Sequence, residues 1–277
     1  MRATIDAALA TRRVRGTGLA AVVVGLLLPR AAAGQLAVDR LEIFFEPGSG
    51  AEQVVSFGVA NEGSRLVEAT VYVQDWERRP DGEHVFSPSG SLPPSCGRFL
   101  RVFPQSLRLP PGGRQTVRVA LEGADSLRAA CWSVVFVENT PEPAQRGRQI
   151  TYVTRLGVKV YGLPSGLVRD GEVDTLSLRA ARPTEGRSAD PRAREFALSF
   201  TNRGGQPLWA QGRIEVRRLD NSVAAQVEVP EFPVLPGARR EMAVALPALA
   251  AGRYVALALV DFGGGEIAAA QLEFEVR

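Results

Sequence analysis

A period of two governs this sequence. Short runs alternate apolar with polar side chains almost from end to end, and glycine, proline and asparagine punctuate them. Val54-Val-Ser-Phe-Gly-Val-Ala60 and Glu68-Ala-Thr-Val-Tyr-Val-Gln-Asp-Trp76 flank the turn residues Asn61-Glu-Gly-Ser64, the pattern of two half-buried strands. Phe99-Leu-Arg-Val-Phe103, Gln115-Thr-Val-Arg-Val-Ala-Leu121, Cys131-Trp-Ser-Val-Val-Phe-Val-Glu138 and one long segment from Ile150 to Tyr161 complete a set of about seven strands. Helical periodicity is hard to find, so the predicted class is all-β.

The set then repeats. Beyond Gly162-Leu-Pro-Ser-Gly166 come Thr175 to Leu178, Glu195 to Phe200, Gly212 to Arg218, Ala224 to Val229, Glu241 to Leu246, Gly252 to Val260 and Gln271 to Val276. Leu235-Pro-Gly-Ala238 repeats the Leu109-Pro-Pro-Gly112 type of turn, and Asn202-Arg-Gly204 repeats Asn61-Glu-Gly63. The expected architecture is two seven-stranded immunoglobulin-like β-sandwiches, residues 34–161 and 169–277, joined by a hinge at 162–168. The polar stretches Thr140 to Arg148 and Ala180 to Ala193 read as loops.

Residues 1–33 read as a secretory signal peptide. Arg12, Arg13 and Arg15 precede the apolar run Leu19 to Leu28, and Ala31-Ala32-Ala33 follows it. That run is about ten residues, half of what a helix needs to cross a bilayer. The expectation is an exported, periplasmic protein without stable membrane insertion. The segment removes five arginines and one acid from totals of 33 basic and 30 acidic residues, which leaves the mature chain near −1. No electrostatic footprint for nucleic acid remains.

Cys96 and Cys131 are the two cysteines, and in an oxidising compartment they are expected to form a disulfide. Zinc and other metal sites are not expected, and neither is a cofactor. His84, in a polar stretch after Arg78-Arg-Pro-Asp-Gly82, is the single histidine and reads as a solvated loop residue. It leaves no Ser-His-Asp or Cys-His arrangement to propose. Asp261-Phe-Gly-Gly-Gly265 reads as a hairpin turn. The chain is therefore read as a non-enzyme.

Lys159 is the sole lysine. It sits near the end of the Ile150 to Tyr161 strand, where the first domain hands over to the second. A compact ammonium there could anchor a carboxylate; the plainer alternative is a surface lysine on a strand.

Taken together, the strand Leu36 to Phe45, the segment Val55-Ser-Phe-Gly-Val-Ala-Asn61, Val102-Phe-Pro-Gln-Ser-Leu-Arg-Leu-Pro-Pro-Gly112, Trp132 to Val137 and the exit Val158-Lys-Val-Tyr-Gly-Leu-Pro164 resemble the PapD-like periplasmic chaperones of pilus and fimbria assembly. The resemblance covers the first domain and is weaker in the second. It implies a chaperone that lends its last first-domain strand to a pilin-like subunit, with an outer-membrane usher as a further partner. The lent row would be Ile150, Tyr152, Leu156, Val158 and Val160, interrupted by Thr154. The resemblance also implies a carboxylate anchor made of a first-strand arginine and the exit lysine. Lys159 matches the lysine, but Glu42 stands where the arginine should be, and Arg40, two residues away, is the substitute. The competing expectation is a static structural or adhesive sandwich module whose row simply faces its own core, because both readings need the same alternation.

Overall fold

The computed structural model describes residues 36–48, 53–140, 153–182 and 193–276; the signal peptide read at 1–33, most of the two polar loops, and Ile150 and Tyr152 lie outside them. Among the described residues, four sheets form two sandwiches. In the first, one sheet runs β1 (Leu36–Val38), β3 (Val54–Asn61), β8 (Arg114–Leu121), β6 (Leu100–Phe103). The facing sheet runs β2 (Glu42–Phe45), β10 (Arg155–Gly162), β9 (Cys131–Asn139), β4 (Val67–Arg78), β5 (His84–Pro88), and β7 (Ser106–Leu109) also pairs with β4.

The second sandwich stacks β11 (Gly171–Ala180), β12 (Arg194–Asn202), β15 (Arg239–Ala245) on β14 (Val223–Val234), β13 (Leu208–Arg218), β16 (Gly252–Asp261), β17 (Ile267–Val276). Each sandwich closes on the inward row of its alternating strands. Val59, Val117, Val119, Val135, Val137, Val158 and Val160 meet in the first core, and Phe196, Phe200, Ile214, Val216, Ala256 and Val260 in the second.

The repeated sequence turns are one structural device used twice. Asn61 ends β3, where its side-chain amide donates to Arg65 O at 2.6 Å and Leu109 O at 2.9 Å while its side-chain oxygen accepts from Gly63 N. Asn202 ends β12 and does the same with Gln206 O, Val234 O and Gly204 N. Each asparagine thereby ties a turn to the proline-glycine corner that starts the next strand. Gly112 and Gly237, at φ 68° and 71°, donate their N–H to Asn61 O and Asn202 O. That left-handed geometry favours glycine.

Two sequence expectations change. The stretch Leu36 to Phe45 is not one strand: β1 pairs antiparallel with β3, and the chain then crosses to the other sheet, where β2 pairs parallel with β10. Asp39 makes the crossing, its carboxylate accepting Gly58 N at 2.8 Å. His84 is no solvated loop residue either, since it opens β5, half-buried, with its ring stacked on Phe86.

The expected disulfide is present, with Cα atoms of Cys96 and Cys131 5.0 Å apart. It fastens the segment between β5 and β6 to the start of β9. Asp75, fully buried on β4, holds the same segment by accepting from Leu92 N and Ser95 Oγ, and it accepts from Ser133 Oγ of β9 as well.

The sandwiches belong to one compact unit, Gly34–Arg277, and they touch through a third apolar cluster. Trp76, Trp132, Phe136 and Tyr161, on the outer face of the sheet containing β10, pack with Leu235 of the second sandwich, and Trp209 leans against them. Beside this cluster the turn between β4 and β5 docks on β15. Arg240 donates to Arg79 O at 3.1 Å and Pro80 O at 2.7 Å, and Glu241 N donates to Pro80 O at 2.8 Å.

Candidate partner-binding edge and carboxylate site

Backbone pairing along β10 is unequal on its two sides. Its whole length, Arg155 to Gly162, pairs antiparallel with β9. On the other side β2 covers only Lys159 to Gly162, in the register Lys159 with Glu42 and Gly162 with Phe45. Lys159 N donates to Leu41 O at 2.8 Å, so the N–H groups of Gly157 and Arg155, two and four residues earlier, point to that same side. Among the described residues, Arg155–Val158 therefore has no strand paired on that side, and the sequence continues from it toward Tyr152 and Ile150.

The side chains of β10 divide strictly. Val158 and Val160, predicted as partner-binding residues, are both 0% exposed in the core of their own sandwich. That corrects the expectation for both: alternation told which face they share, and tertiary packing supplied what covers it. Leu156 is partly buried against the same core. Of the predicted row, then, the described side chain still within reach of a partner is Leu156.

Arg155, Gly157, Lys159 and Tyr161 point the other way. Arg155 lies over the Phe136 ring at 4.5 Å and the Phe86 ring at 5.3 Å. A Cβ on Gly157 would stand 3.0 Å from Phe136 and Val134, so glycine lets those side chains fill the space beside the edge. Tyr161 is sealed by Phe44, at 5.1 Å between ring centroids, and by Trp209 at 5.8 Å. Lys159 Nζ sits 5.1 Å over Trp76 and 3.8 Å from Glu42 Oε1.

Arg40 does not join this site. It lies exposed in the crossing between β1 and β2, so the same-face argument linking it to position 42 does not hold across the switch of sheets. A different arginine is there instead. Arg78 ends β4 half-buried, with Nη2 2.7 Å from His84 Nε2, and it acts electrostatically on Lys159, Tyr161 and Glu42. Sequence reading missed Arg78, Arg240 and Trp209. Arg78 looked like part of a polar turn, and no local pattern marks a side chain that a sheet brings beside a strand some 80 residues on.

The cluster is crowded with positive charge. Burial and the like charge of Arg78 hold the Lys159 ammonium below its ordinary pKa, and Glu42 restores part of it. Burial also lowers the Arg78 and Arg240 guanidinium groups. His84 is pushed down to about 4 by burial, then by Arg78, Lys159 and Arg240. It is therefore neutral at pH 7. Burial and the neighbouring Glu42 carboxylate push the Tyr161 hydroxyl up.

Among the described residues, fold and site together define a two-sandwich, all-β protein in which half of β10 is paired on one side only, next to a cationic cluster. No protein-family model matches the chain, and no curated protein does. Solved structures that it is similar to include the class 5 fimbriae chaperone CfaA, with a TM-score of 0.47 at 12% identity over 87% of this chain and 98% of that one. Others are the CsuC-CsuE chaperone and tip-subunit pre-assembly complex from the archaic chaperone-usher Csu pili of Acinetobacter baumannii, with a TM-score of 0.45 at 11% identity over 85% and 97%, and Salmonella enterica SafA pilin in complex with the SafB chaperone, 0.42 at 14% over 86% and 96%.

Proposed function

We propose that the chain is an exported, periplasmic assembly chaperone, without catalytic activity, that holds pilin-like β-sandwich subunits by pairing their backbone with the free edge of β10. The observation that carries this reading is the unequal cover of β10, whose Arg155–Val158 half lacks the β2 partner that closes Lys159–Gly162. Static proteins commonly blunt such an edge with proline, a bulge or a covering strand. In this reading a partner strand enters the place that β2 leaves vacant, Leu156, Tyr152 and Ile150 meet its side chains, and Lys159 attracts its terminal carboxylate. An outer-membrane usher would receive the loaded complex.

One observation favours the static-module reading: Glu42 already stands beside Lys159 and satisfies its charge from within.

Two substitutions at one position separate the readings. Arg155→Pro removes an edge N–H that faces away from β9, at the first residue of the strand, where proline is tolerated. Arg155→Ala is the control for loss of the side chain. Co-purification of the mature protein with periplasmic subunits should fail for Arg155→Pro and persist for Arg155→Ala. Equal capture by both variants, or no captured subunit with the unaltered protein, would reject strand pairing at this edge.

A further inference from the structure

The β4–β5 hairpin is the arm by which the first sandwich holds the second. In its turn, Arg79 N donates to Glu83 O at 2.8 Å and Gly82 N to Arg79 O at 2.9 Å. The same turn offers Arg79 O and Pro80 O to Arg240, and Pro80 O to Glu241 N. Gly82 lets it lie close to Arg240: its φ is 102°, and a Cβ there would stand 2.8 Å from Nη2. Arg78 and His84 are the last residue pair of the hairpin before the turn. Whatever separates them loosens the turn at its base.

Their contact needs a neutral ring. Arg78 Nη2 stands 2.7 Å from His84 Nε2, and a guanidinium can only donate, so Nε2 accepts and the ring's one proton lies on Nδ1. Trp76, at 5.4 Å between ring centroids, and Phe86, stacked at 6.1 Å, hold the imidazole in place. Among the described residues, the charged groups that act on His84 are all cations: Arg78 from β4, Lys159 from β10 and Arg240 from β15. The nearby acids are engaged elsewhere. Glu42 of β2 acts on Lys159 and Arg78, Asp81 on Arg240, and Glu83 pairs with Arg79. The Tyr161 hydroxyl, pushed up by burial and by Glu42, keeps its proton and supplies no anion. A proton added to His84 thus removes the acceptor of Arg78 and sets a further positive charge among three, where burial weakens screening. Arg78 Nε and Arg240 Nε are already buried without an acceptor among the described residues, so neither guanidinium has a spare bond to fall back on.

We propose that His84 is an acid-operated latch between the two sandwiches. Neutral, it accepts from Arg78 and lets the β4–β5 turn rest on β15; protonated, it repels Arg78 and Arg240, and the turn lifts from β15. The apolar cluster of Trp76, Trp132, Tyr161 and Leu235 carries no charge and does not answer to pH. The motion is therefore an opening on one side of the junction, not a parting of the sandwiches. A seated ring takes a proton only near pH 4, against 6.5 for a free one, so acid favours the lifted turn. The seat is intact above about pH 6.5 and is lost as the pH falls toward 4. The latch is independent of whether the chain is a chaperone.

Hydrogen exchange of the whole mature protein, followed by NMR between pH 7 and 4 and corrected for the intrinsic rate, tests it. Glu241 N reports the seat, because its acceptor is Pro80 O, while Val135 N of β9 and Ile214 N of β13 report the two sandwiches themselves. From pH 7 to 4, protection at Glu241 should fall by about tenfold in the unaltered protein. It should stay level in His84→Gln, whose amide oxygen can accept from Arg78 without titrating. His84→Arg, charged throughout this range, should show the lowered protection already at pH 7. Val135 and Ile214 should keep their protection in all three proteins. Level protection at Glu241 in the unaltered protein would overturn the latch, and an equal fall in His84→Gln would overturn His84 as its operator. Parallel losses at Val135 or Ile214 would mean that acid unfolds a sandwich, which overturns it too. His84→Arg matching the unaltered protein at pH 7 would remove charge as the cause.

Discussion

Lys159 and Glu42 are direct neighbours in the parallel register between β10 and β2, and their charged groups stand 3.8 Å apart. Both side chains keep a quarter to a third of their surface, so the pair itself contributes little stability, about 1 kcal/mol or less. Its importance lies in where it is placed, at the point where the covered half of β10 meets the free half.

Replacing Lys159 by Ala should accordingly leave unfolding by urea nearly unchanged. Capture of a subunit with a free terminal carboxylate should weaken by about 1–3 kcal/mol, the range for hydrogen bonds to charged groups. Calorimetric titration against a purified subunit checks it, and undiminished affinity would assign Lys159 to internal pairing with Glu42.

The disulfide closes a separation of 35 residues and so restrains the unfolded chain. Replacing both cysteines by Ala should cost about 3–4 kcal/mol by loop-closure entropy. Thiol titration of the unfolded, unreduced protein should find none free.

Asn61 and Asn202 should be equally intolerant of change. Substitution of either by Ala strands buried carbonyl groups of Leu109 or Val234, together with a turn N–H, at about 1–3 kcal/mol each. Denaturant midpoints measured for the two variants would show whether the corners are equivalent. A loss confined to one of them would mean that they are not.

His84 makes stability depend on acidity. Its folded pKa, about 4, lies below the ordinary value of 6.5, so the unfolded chain takes up its proton first. This contribution is complete above about pH 6.5, is lost as the pH falls toward 4, and changes no further below that. For a partly exposed ring the loss is about 1 kcal/mol once solvent screening is discounted. Thermal unfolding of His84→Gln between pH 7 and 4 should show a shallower decline than the unaltered protein.

Arg240 reaches from β15 to two carbonyl groups of the β4–β5 turn, and it is 6% exposed. Arg240→Met keeps the aliphatic stem and removes both hydrogen bonds, at a cost of about 2–3 kcal/mol. Hydrogen exchange should quicken at Glu241 N, which donates to Pro80 O beside it. Unaltered exchange there would show that the apolar cluster around Trp209 holds the sandwiches without Arg240.

Alternation alone determined most of the strands, the all-β class and the doubling into two sandwiches, because a side-chain period of two is a property of the extended backbone; β5 and β7 and the break between β1 and β2 escaped it. The cysteine pair and the twin proline-glycine corners were legible for a similar reason, each being carried by residue types with few other uses. Tertiary structure decided everything that depends on what lies opposite a face or an edge. It buried Val158 and Val160 in their own core, carried Arg40 away through the crossing at Asp39, and, among the described residues, left Arg155–Val158 without a paired strand on the β2 side by starting β2 only at Glu42. It also gathered Arg78, His84, Lys159 and Arg240 from four strands of two sandwiches. The sequence shows each of these as an isolated charge, since sheet register and the packing of one sandwich on the other join residues with no local relation to one another.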